Sequence, residues 1–245
     1  MKYIEEYLGK TVNIVIDRPL GSAHPQFPGL IYPVNYGYIP ETVGGDGEET
    51  DVYLLGVSEP VREYTAKIIG IIYRENDDEY KLAAAPEGVV FNQAEIAEAV
   101  HFQEKYFKTE IDAFYHKSCG AIVFRENAGV REYLCLLQTK SGSYSVSKGH
   151  AEAFETEHVT AQREASEEAG IELSFIRGFR MEMYYEIFGG RQKTLVLFLA
   201  KCKGEPKYDG KEISAHRWLK LAEAKKLLPA DYGSFLDAAE AYELK

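Results

Sequence analysis

The sequence has few of the features that would place it outside the ordinary globular proteins. Its 245 residues include only three cysteines, and these form neither a zinc-binding spacing nor a disulfide framework. No apolar run approaches the ~18 residues that a membrane-spanning helix needs. The first residues are acidic and lack the apolar segment of a signal peptide. We therefore expect a cytoplasmic protein, without a membrane partner, whose cysteines are reduced core residues.

Positive charge is also scarce, and its distribution is uneven. The formal net charge is −11, and the whole acidic excess falls within residues 1–115. An acidic body repels polyanions, so general nucleic-acid binding is not expected. A small phosphorylated substrate, held by a local cation or a metal, is compatible with this charge. The sequence leaves the oligomeric state open, and a homo-oligomer is compatible with it.

The chain divides most naturally near its middle, although it contains no internal repeat and no low-complexity linker. A helix-like run ends and a strand begins near residues 112–117, which predicts domains at 1–115 and 116–245. In the first domain, Thr11–Ile16 alternates with period two, and further strand-like runs follow it. Asn92 is a good N-cap for a helix that reaches about Tyr106. Several strands and one helix predict a small barrel covered on one side.

The second domain is organised around the stretch from Gly149 to Ile171. No glycine or proline interrupts residues 156–169, Thr156 can cap the start of a helix, and Gly170 can end it. On that helix, Glu164, Glu167 and Glu168 stand at i, i+3 and i+4, so they project from one face and repel one another. Two interpretations follow from the residues: a solvated acidic face, or a site for a divalent cation with oxygen ligands.

The whole pattern resembles the Nudix box, whose nine constrained positions are filled by Gly149, Glu155, Arg163, Glu164, Ala165, Glu167, Glu168, Gly170 and Ile171. The resemblance implies an α/β/α sandwich with a mixed sheet, and therefore an α+β protein overall. It also implies hydrolysis of nucleoside diphosphates linked to another group, with Mg²⁺ or Mn²⁺ as cofactor. By the same resemblance, Glu164, Glu167 and Glu168 are catalytic metal ligands, and Arg163 braces the loop through Glu155.

Further segments resemble the asymmetrical diadenosine tetraphosphate hydrolases within that family. They are Ser147-Lys-Gly-His-Ala-Glu152, Gly178-Phe-Arg-Met-Glu-Met-Tyr-Tyr185 and Lys193-Thr194. This resemblance implies that Gly149 and Glu152 join the metal site and that Lys148 and Tyr185 contact the phosphates. Tyr144 would stack on a base, although it stands where that subfamily usually has Trp.

One further carboxylate, Glu212, precedes the segment that contains the single tryptophan. It is either a catalytic base or metal ligand, or an ordinary surface residue. The predicted reaction is Mg-dependent cleavage of diadenosine tetraphosphate to ATP and AMP. One alternative is another Nudix substrate, such as ADP-ribose, a nucleoside triphosphate or an RNA 5′ end, combined with a working inorganic pyrophosphatase domain. The other is a sensor that binds a dinucleotide polyphosphate without cleaving it.

The first domain carries a second resemblance, to the soluble inorganic pyrophosphatases. Tyr32–Pro40 reads as a rigid aromatic turn, and Asp46–Asp51 clusters carboxylates in a loop. The resemblance implies a five-stranded barrel of oligonucleotide-binding type. It implies metal ligands at Asp46, Glu48 and Asp51 and substrate-binding residues at Arg18, Tyr36 and Lys81.

This domain also departs from the pyrophosphatase pattern. Glu48 replaces an aspartate of the signature, Glu49 replaces a proline, and Phe107 replaces a phosphate-binding lysine. The lost cation weakens the electrostatic stabilisation that phosphoryl transfer needs. We therefore expect the barrel to be present and its pyrophosphate hydrolysis to be weak or absent.

Overall fold

The computed structural model describes residues 5–44, 47–75 and 80–243. The chain forms two compact units. Besides Met1–His116, the first unit includes the short segments Glu152–Phe154 and Glu186–Gln192. The second unit consists of Lys117–Ala151, Glu155–Tyr185 and Lys193–Lys245.

The first unit contains a closed barrel with one helix. Its elements are β1 (Thr11–Arg18), β2 (Asn35–Ile39), β3 (Thr50–Leu54), β4 (Glu63–Arg74), β5 (Tyr80–Ala85), α1 (Gln93–Glu104) and β6 (Thr109–Ala113). The strand order is β1-β2-β3-β5-β4-β6, and an additional pairing of β1 with β4 closes five strands into a barrel. Only the β3–β5 pair is parallel among these pairings. The predicted five-stranded barrel is therefore confirmed.

Helix α1 begins where the sequence predicts. The Asn92 side chain accepts hydrogen bonds from the backbone N–H groups of Ala94 and Glu95. In return, the Glu95 carboxylate accepts the N–H of Asn92, which completes a capping box. Ile96 and Val100 are buried against the outside of the barrel. The helix ends at Glu104, two residues before the predicted end.

The segment Tyr32–Pro40 is not the aromatic turn that the sequence predicts. Its middle forms strand β2, which pairs antiparallel with β1 and β3. Asn35, Tyr36 and Gly37 are all buried in this strand. Aromatic side chains favour a pleated, half-buried surface, and pairing on both sides outweighs the turn tendency of the prolines and the glycine.

The second unit is a sheet between helices. Its elements are β7 (Tyr115–Asn127), β8 (Val130–Gln138), β9 (Tyr144–Ser145), β10 (Ser147–His150), α2 (Glu157–Ala169), β11 (Glu172–Glu186), β12 (Gln192–Lys203), β13 (Ile213–Lys220), α3 (Leu221–Leu227) and α4 (Gly233–Ala241). The main strand order is β11-β12-β7-β8-β13, with β10 paired to β7 and β9 to β8. Helix α2 packs into one cluster of buried sheet residues, and α3 and α4 pack into another. The predicted sandwich is confirmed.

Helix α2 has the predicted ends. The Thr156 hydroxyl accepts the N–H of Val159, and Gly170 adopts the left-handed conformation at φ 60°. The stripe of Ala161, Ala165 and Ala169 is fully buried. These small side chains let the helix lie close to the sheet, which fixes the position of the carboxylates on its adjoining face.

All three cysteines are free; Cys119 and Cys135 are buried, whereas Cys202 is half-buried. Within the described ranges, no helix is both long enough and apolar enough to cross a membrane.

Candidate active site

The close approach of strand β10 to helix α2 depends on Gly149. This residue pairs with Cys119 of β7 in the antiparallel ladder. A Cβ atom added to Gly149 would lie only 2.0 Å from Cδ of Glu164. Since no side chain fits there, glycine is what lets the Glu164 carboxylate lie against the strand backbone.

Arg163 braces the loop between β10 and α2. Its Nε donates to Oε1 of Glu155 at 2.7 Å, and its Nη2 donates to Oε2 of Glu155 at 3.0 Å. The same Nη2 donates to the carbonyl oxygen of His150 at 2.8 Å. The Thr160 hydroxyl gives Glu155 a further hydrogen bond at 2.8 Å. The role predicted for Arg163 is confirmed.

Arg163 also contacts two of the three predicted metal ligands. Its Nη1 donates to Oε1 of Glu164 at 2.7 Å and to Oε2 of Glu167 at 3.0 Å. The carboxylates of Glu164, Glu167 and Glu168 share one face of α2 and repel one another, so a nearby positive charge is needed to offset the repulsion. In this arrangement, the guanidinium supplies part of that compensation, because it lies between two of the carboxylates.

Glu168 is the most deeply placed carboxylate of the helix. It is 6% exposed, and it accepts the backbone N–H of Lys148 at 3.1 Å and the side-chain amide of Gln138 at 3.4 Å. Burial raises the pKa of Glu168 to about 6. A carboxylate with a pKa near neutrality can accept a proton from a nucleophile and later release it, as a general base must.

Glu164 and Glu212 belong to the same electrostatic neighbourhood. Burial raises the pKa of Glu164, and the negative charges of Glu167 and Glu212 raise it further. Glu212 is exposed, and its carbonyl oxygen accepts the N–H of Thr139 at 2.8 Å. The structure thus brings the charge of Glu212 to the edge of the carboxylate cluster.

Lys193, the second residue of β12, was not among the predicted site residues. Burial lowers its pKa to about 8, with a further decrease from the charge of Lys148 and an opposing effect from Glu164. Its Nζ lies 3.4 Å from Nε2 of His150. Lys193 and Lys148 therefore lie close enough to each other and to the carboxylates of α2 to interact electrostatically. The sequence shows Lys193-Thr194 as a point of family resemblance. The proximity of Lys193 to Lys148, however, depends on how distant strands pair in the sheet.

The two predicted aromatic contacts, Tyr144 and Tyr185, are half-buried. Both pack against the apolar cluster that contains the buried Tyr232. The guanidinium of Arg217 lies 5.7 Å from the centroid of the Tyr144 ring, which is within cation–π range. Burial raises the pKa of Tyr185, so its hydroxyl is protonated near neutral pH and can donate a hydrogen bond.

The carboxylates of α2 are oxygen donors of the kind that a hard cation prefers; Glu168 is buried, Glu164 is half-buried and Glu167 is exposed. Within residues 5–44, 47–75 and 80–243, however, no three acidic, histidine or cysteine side chains already form a metal-binding group. Glu152 is exposed and clusters with the first unit. The assignments of Glu152, Gly149 and the helix carboxylates as metal ligands therefore stay predictions.

In the first unit, the structure brings three predicted site residues together. Lys81 is 3% exposed, and its Nζ donates to the Tyr36 hydroxyl at 2.6 Å and to Oδ2 of Asp51 at 2.5 Å. The Arg18 guanidinium lies 5.0 Å from the centroid of the Tyr36 ring. A predicted substrate-binding cation and a predicted metal ligand thus form an ion pair with each other.

The other predicted features of this unit are less concentrated. Glu48 is exposed, and Asp46 lies outside the described residues. The ring of Phe107 is 3.6 Å from the guanidinium of Arg74, which also pairs with the buried Glu104 at 2.7 Å. Phe107 therefore stacks on an internal ion pair.

In the second unit, the strand that contains Gly149 lies against the carboxylates of α2, an arrangement suited to the hydrolysis of phosphoanhydrides. The NUDIX domain family model matches residues 114–239, and the chain belongs to the Nudix family. It is 38% identical over 128 residues to the asymmetrical bis(5′-nucleosyl)-tetraphosphatase of Sus scrofa, across 45% of this chain and 83% of that protein. A C. elegans Ap4A hydrolase binary complex is 29% identical with a TM-score of 0.47, and the match covers 50% of this chain and 93% of that one.

The first unit matches a different family model, inorganic pyrophosphatase, over residues 5–119. A relative in Saccharolobus solfataricus, an inorganic pyrophosphatase, is 38% identical over 77 residues. That match covers 30% of this chain and 41% of the relative, so the chain spans less than half of its length. The predicted fusion of a Nudix domain to a pyrophosphatase-like domain is confirmed.

Proposed function

We propose that this Nudix hydrolase cleaves diadenosine tetraphosphate to ATP and AMP and that it requires Mg²⁺ or Mn²⁺. The observation that carries the proposal is the juxtaposition of the carboxylates of α2 with Lys148 and Lys193. Carboxylates suit a divalent cation, and two neighbouring lysines suit a polyphosphate longer than a single anhydride. The identity to the asymmetrical tetraphosphatase of Sus scrofa, which extends over most of that protein, supports the choice of substrate.

Each residue has a separate part in the proposed reaction. Glu164, Glu167 and Glu168 would hold the metal, with Gly149 and Glu152 as further ligands; when bound, it neutralises phosphate charge and lowers the pKa of a water. Glu168, or Glu212 at the edge of the cluster, accepts the proton of the attacking water. Water attacks one phosphorus in line, and a nucleotide leaves.

The remaining residues hold the substrate in place. Lys148 and Lys193 bind neighbouring phosphates, and the Tyr185 hydroxyl donates a hydrogen bond to one of them. Tyr144, whose ring lies within cation–π range of Arg217, stacks on a base. Positioning of this kind fixes which phosphorus is attacked. It also raises the rate, because it makes the attack effectively unimolecular and correctly oriented.

The main alternative is a different Nudix substrate, and the second is a sensor that binds without turnover. A buried carboxylate with a raised pKa favours an enzyme over a sensor, because a sensor needs no base. We make no proposal of pyrophosphate hydrolysis by the first unit, since Lys81 is engaged by Asp51 and Tyr36.

A multiple-turnover screen tests the proposal. Purified full-length protein is given an excess of diadenosine tetraphosphate, ADP-ribose, ATP or pyrophosphate, with Mg²⁺ or Mn²⁺ and with EDTA. We expect the highest kcat/KM with diadenosine tetraphosphate and no turnover in EDTA. Faster cleavage of ADP-ribose would favour the first alternative, and binding without product in every condition would favour a sensor.

A further inference from the structure

A groove in the first unit is lined by aromatic side chains that the proposed reaction does not use. It has a volume of about 760 Å³ and lies between the segment His24–Leu30 and the end of helix α1. That volume is within the range of small-molecule sites, which is roughly 300–1,000 Å³. None of the three residues Lys81, Asp51 and Tyr36 lines the groove.

One wall of this aromatic groove is a hydrogen-bonded loop. The backbone N–H of His24 donates to the Leu30 carbonyl at 2.8 Å, which closes the loop. The Nδ1 atom of His24 accepts the N–H groups of Gln26 at 3.1 Å and Phe27 at 3.3 Å. The His24 ring lies 5.1 Å from the ring of Phe27. Phe27 is therefore held in place, yet its side chain is 62% exposed.

The other wall consists of residues at the end of α1 and directly after it. Tyr106 is 69% exposed, and the Lys105 ammonium lies 5.1 Å from the centroid of its ring. Phe107 also lines the groove, but its ring is stacked on Arg74. Phe27 and Tyr106 thus leave most of their apolar surface in water, which forgoes the stabilisation that burial would give.

We infer that the aromatic groove binds a purine nucleoside monophosphate, with the base against Phe27 and Tyr106 and the phosphate toward Lys105. Stacking of a base on aromatic rings needs no particular pattern of hydrogen-bond partners, and a single ammonium matches a single phosphate. The acidic surroundings, with the whole net charge of −11 in residues 1–115, disfavour a longer nucleic acid.

The choice of AMP as the probe rests on the proposed function, because that reaction releases AMP. The inference of a purine site rests on the groove alone. Binding at this site would place a nucleotide on the pyrophosphatase-like unit.

The test is isothermal titration of the full-length protein with AMP, which is not itself a phosphoanhydride substrate. We expect wild-type protein to bind two AMP molecules, one at the Nudix site and one in the groove. The double variant Phe27→Ala/Tyr106→Ala should retain only one, and each single variant should weaken the groove site about tenfold or more, as removal of a stacking ring does. The matched control is Phe188→Ala, which removes a 93% exposed ring that does not line the groove.

A third variant tests the placement of the phosphate. Lys105→Gln should weaken binding of AMP at the groove and leave adenosine binding unchanged. The inference is overturned if wild-type protein binds no AMP, or if the double variant binds AMP with the stoichiometry and affinity of wild-type protein. Unchanged melting temperatures verify that the variants are folded. Failure of the proposed function is a separate result, since the hydrolysis screen can fail while groove binding remains sensitive to Phe27 and Tyr106.

Discussion

The carboxylate of Glu164 occupies the space into which any side chain at position 149 would project. The added Cβ would lie 2.0 Å from Cδ and 2.1 Å from both carboxylate oxygens of Glu164. Real carbon atoms do not approach so closely without bonding. The glycine that opens the Nudix box is therefore a steric requirement of the carboxylate that the helix presents.

Gly149→Ala should displace Glu164 and lower kcat by about 10²-fold, the scale on which a misplacement of about 1 Å acts. The folded state should persist, because the carboxylate can move toward solvent. Gly233→Ala is the matched control, since an added Cβ there would make only an ordinary contact at 3.6 Å. Steady-state kinetics and thermal melting of both variants check this, and full activity in Gly149→Ala would contradict it.

Glu168→Gln and Glu167→Gln should each lower kcat by at least about 10²-fold, the usual effect of losing an acid–base or electrostatic group. Without metal, the melting temperature of Glu168→Gln should hold or rise, because burial of the charged form is unfavourable. Glu172→Gln, which removes an exposed carboxylate paired with Lys203 at 3.2 Å, is the control. Unchanged turnover in both site variants would place the chemistry elsewhere.

Lys193→Gln should raise KM for diadenosine tetraphosphate about tenfold while changing kcat less, because in the proposed reaction this lysine binds a phosphate and does not generate the nucleophile. Lys148→Ala should instead weaken the choice of cleavage position. Lys201→Gln, on the same strand but paired with Glu126 at 3.4 Å, is the control. Initial rates over a range of substrate concentrations separate the two parameters, and an equal KM in Lys193→Gln and wild type would exclude phosphate binding by Lys193.

Glu157 should make stability depend on pH. The Arg180 guanidinium and the Lys117 ammonium bind its carboxylate at 2.7 Å and 2.8 Å. These contacts, of which the hydrogen bond from Arg180 has the largest effect, lower the pKa of Glu157 from 4.5 to about 2. Since the folded-state pKa is lower than the unfolded one, the stabilisation is present above pH 4.5 and is lost as the pH falls toward about 2.

Accordingly, Glu157→Gln should reduce the free energy of unfolding at pH 7 by about 1 kcal/mol, the scale of a partly exposed ion pair. The difference from wild type should shrink between pH 4.5 and about 2. Urea unfolding at several pH values measures it. Glu126→Gln, in an exposed pair, should show no such trend, and a constant deficit in Glu157→Gln down to pH 2 would reject the assignment.

The first unit should hydrolyse pyrophosphate weakly or not at all, because Lys81 is held by Asp51 and Tyr36 and Phe107 covers Arg74. Phosphate release from pyrophosphate by the full-length protein is the measurement. A turnover of ~10² s⁻¹ or above, high for an enzyme, would contradict this prediction if it disappeared in Asp51→Asn and persisted in Glu168→Gln.

Local chemistry decided which features could be predicted from the sequence. Helix α2 was predictable because Thr156 and Gly170 mark its ends and no breaker lies between them. Strand β2 was mistaken for a turn, because prolines and a glycine dominate its local pattern while its pairing with two other strands is long-range. The carboxylates of α2, in contrast, could be found from their local spacing, because positions i, i+3 and i+4 share one face of a helix.

Contacts between distant segments could not be predicted in this way. The approach of Gln138 to Glu168 and of Lys193 to Lys148 depends on the order of strands in the sheet. The ion pair of Lys81 with Asp51 likewise depends on the parallel pairing of β3 with β5. The sequence predicts Lys81 and Asp51 as site residues, but only the fold shows that they form an ion pair with each other.

The position of the cleaved bond tests the central proposal most directly. Diadenosine tetraphosphate has two identical ends, so an off-centre cut requires a site that holds the chain in a fixed register over the carboxylates. With the base on Tyr144 and the phosphates on Lys148 and Lys193, we expect ATP and AMP as products. In ¹⁸O-labelled water, only one of the two should carry the label. Chromatography and mass spectrometry of the products decide the question, and two molecules of ADP as the main product would contradict the proposed register.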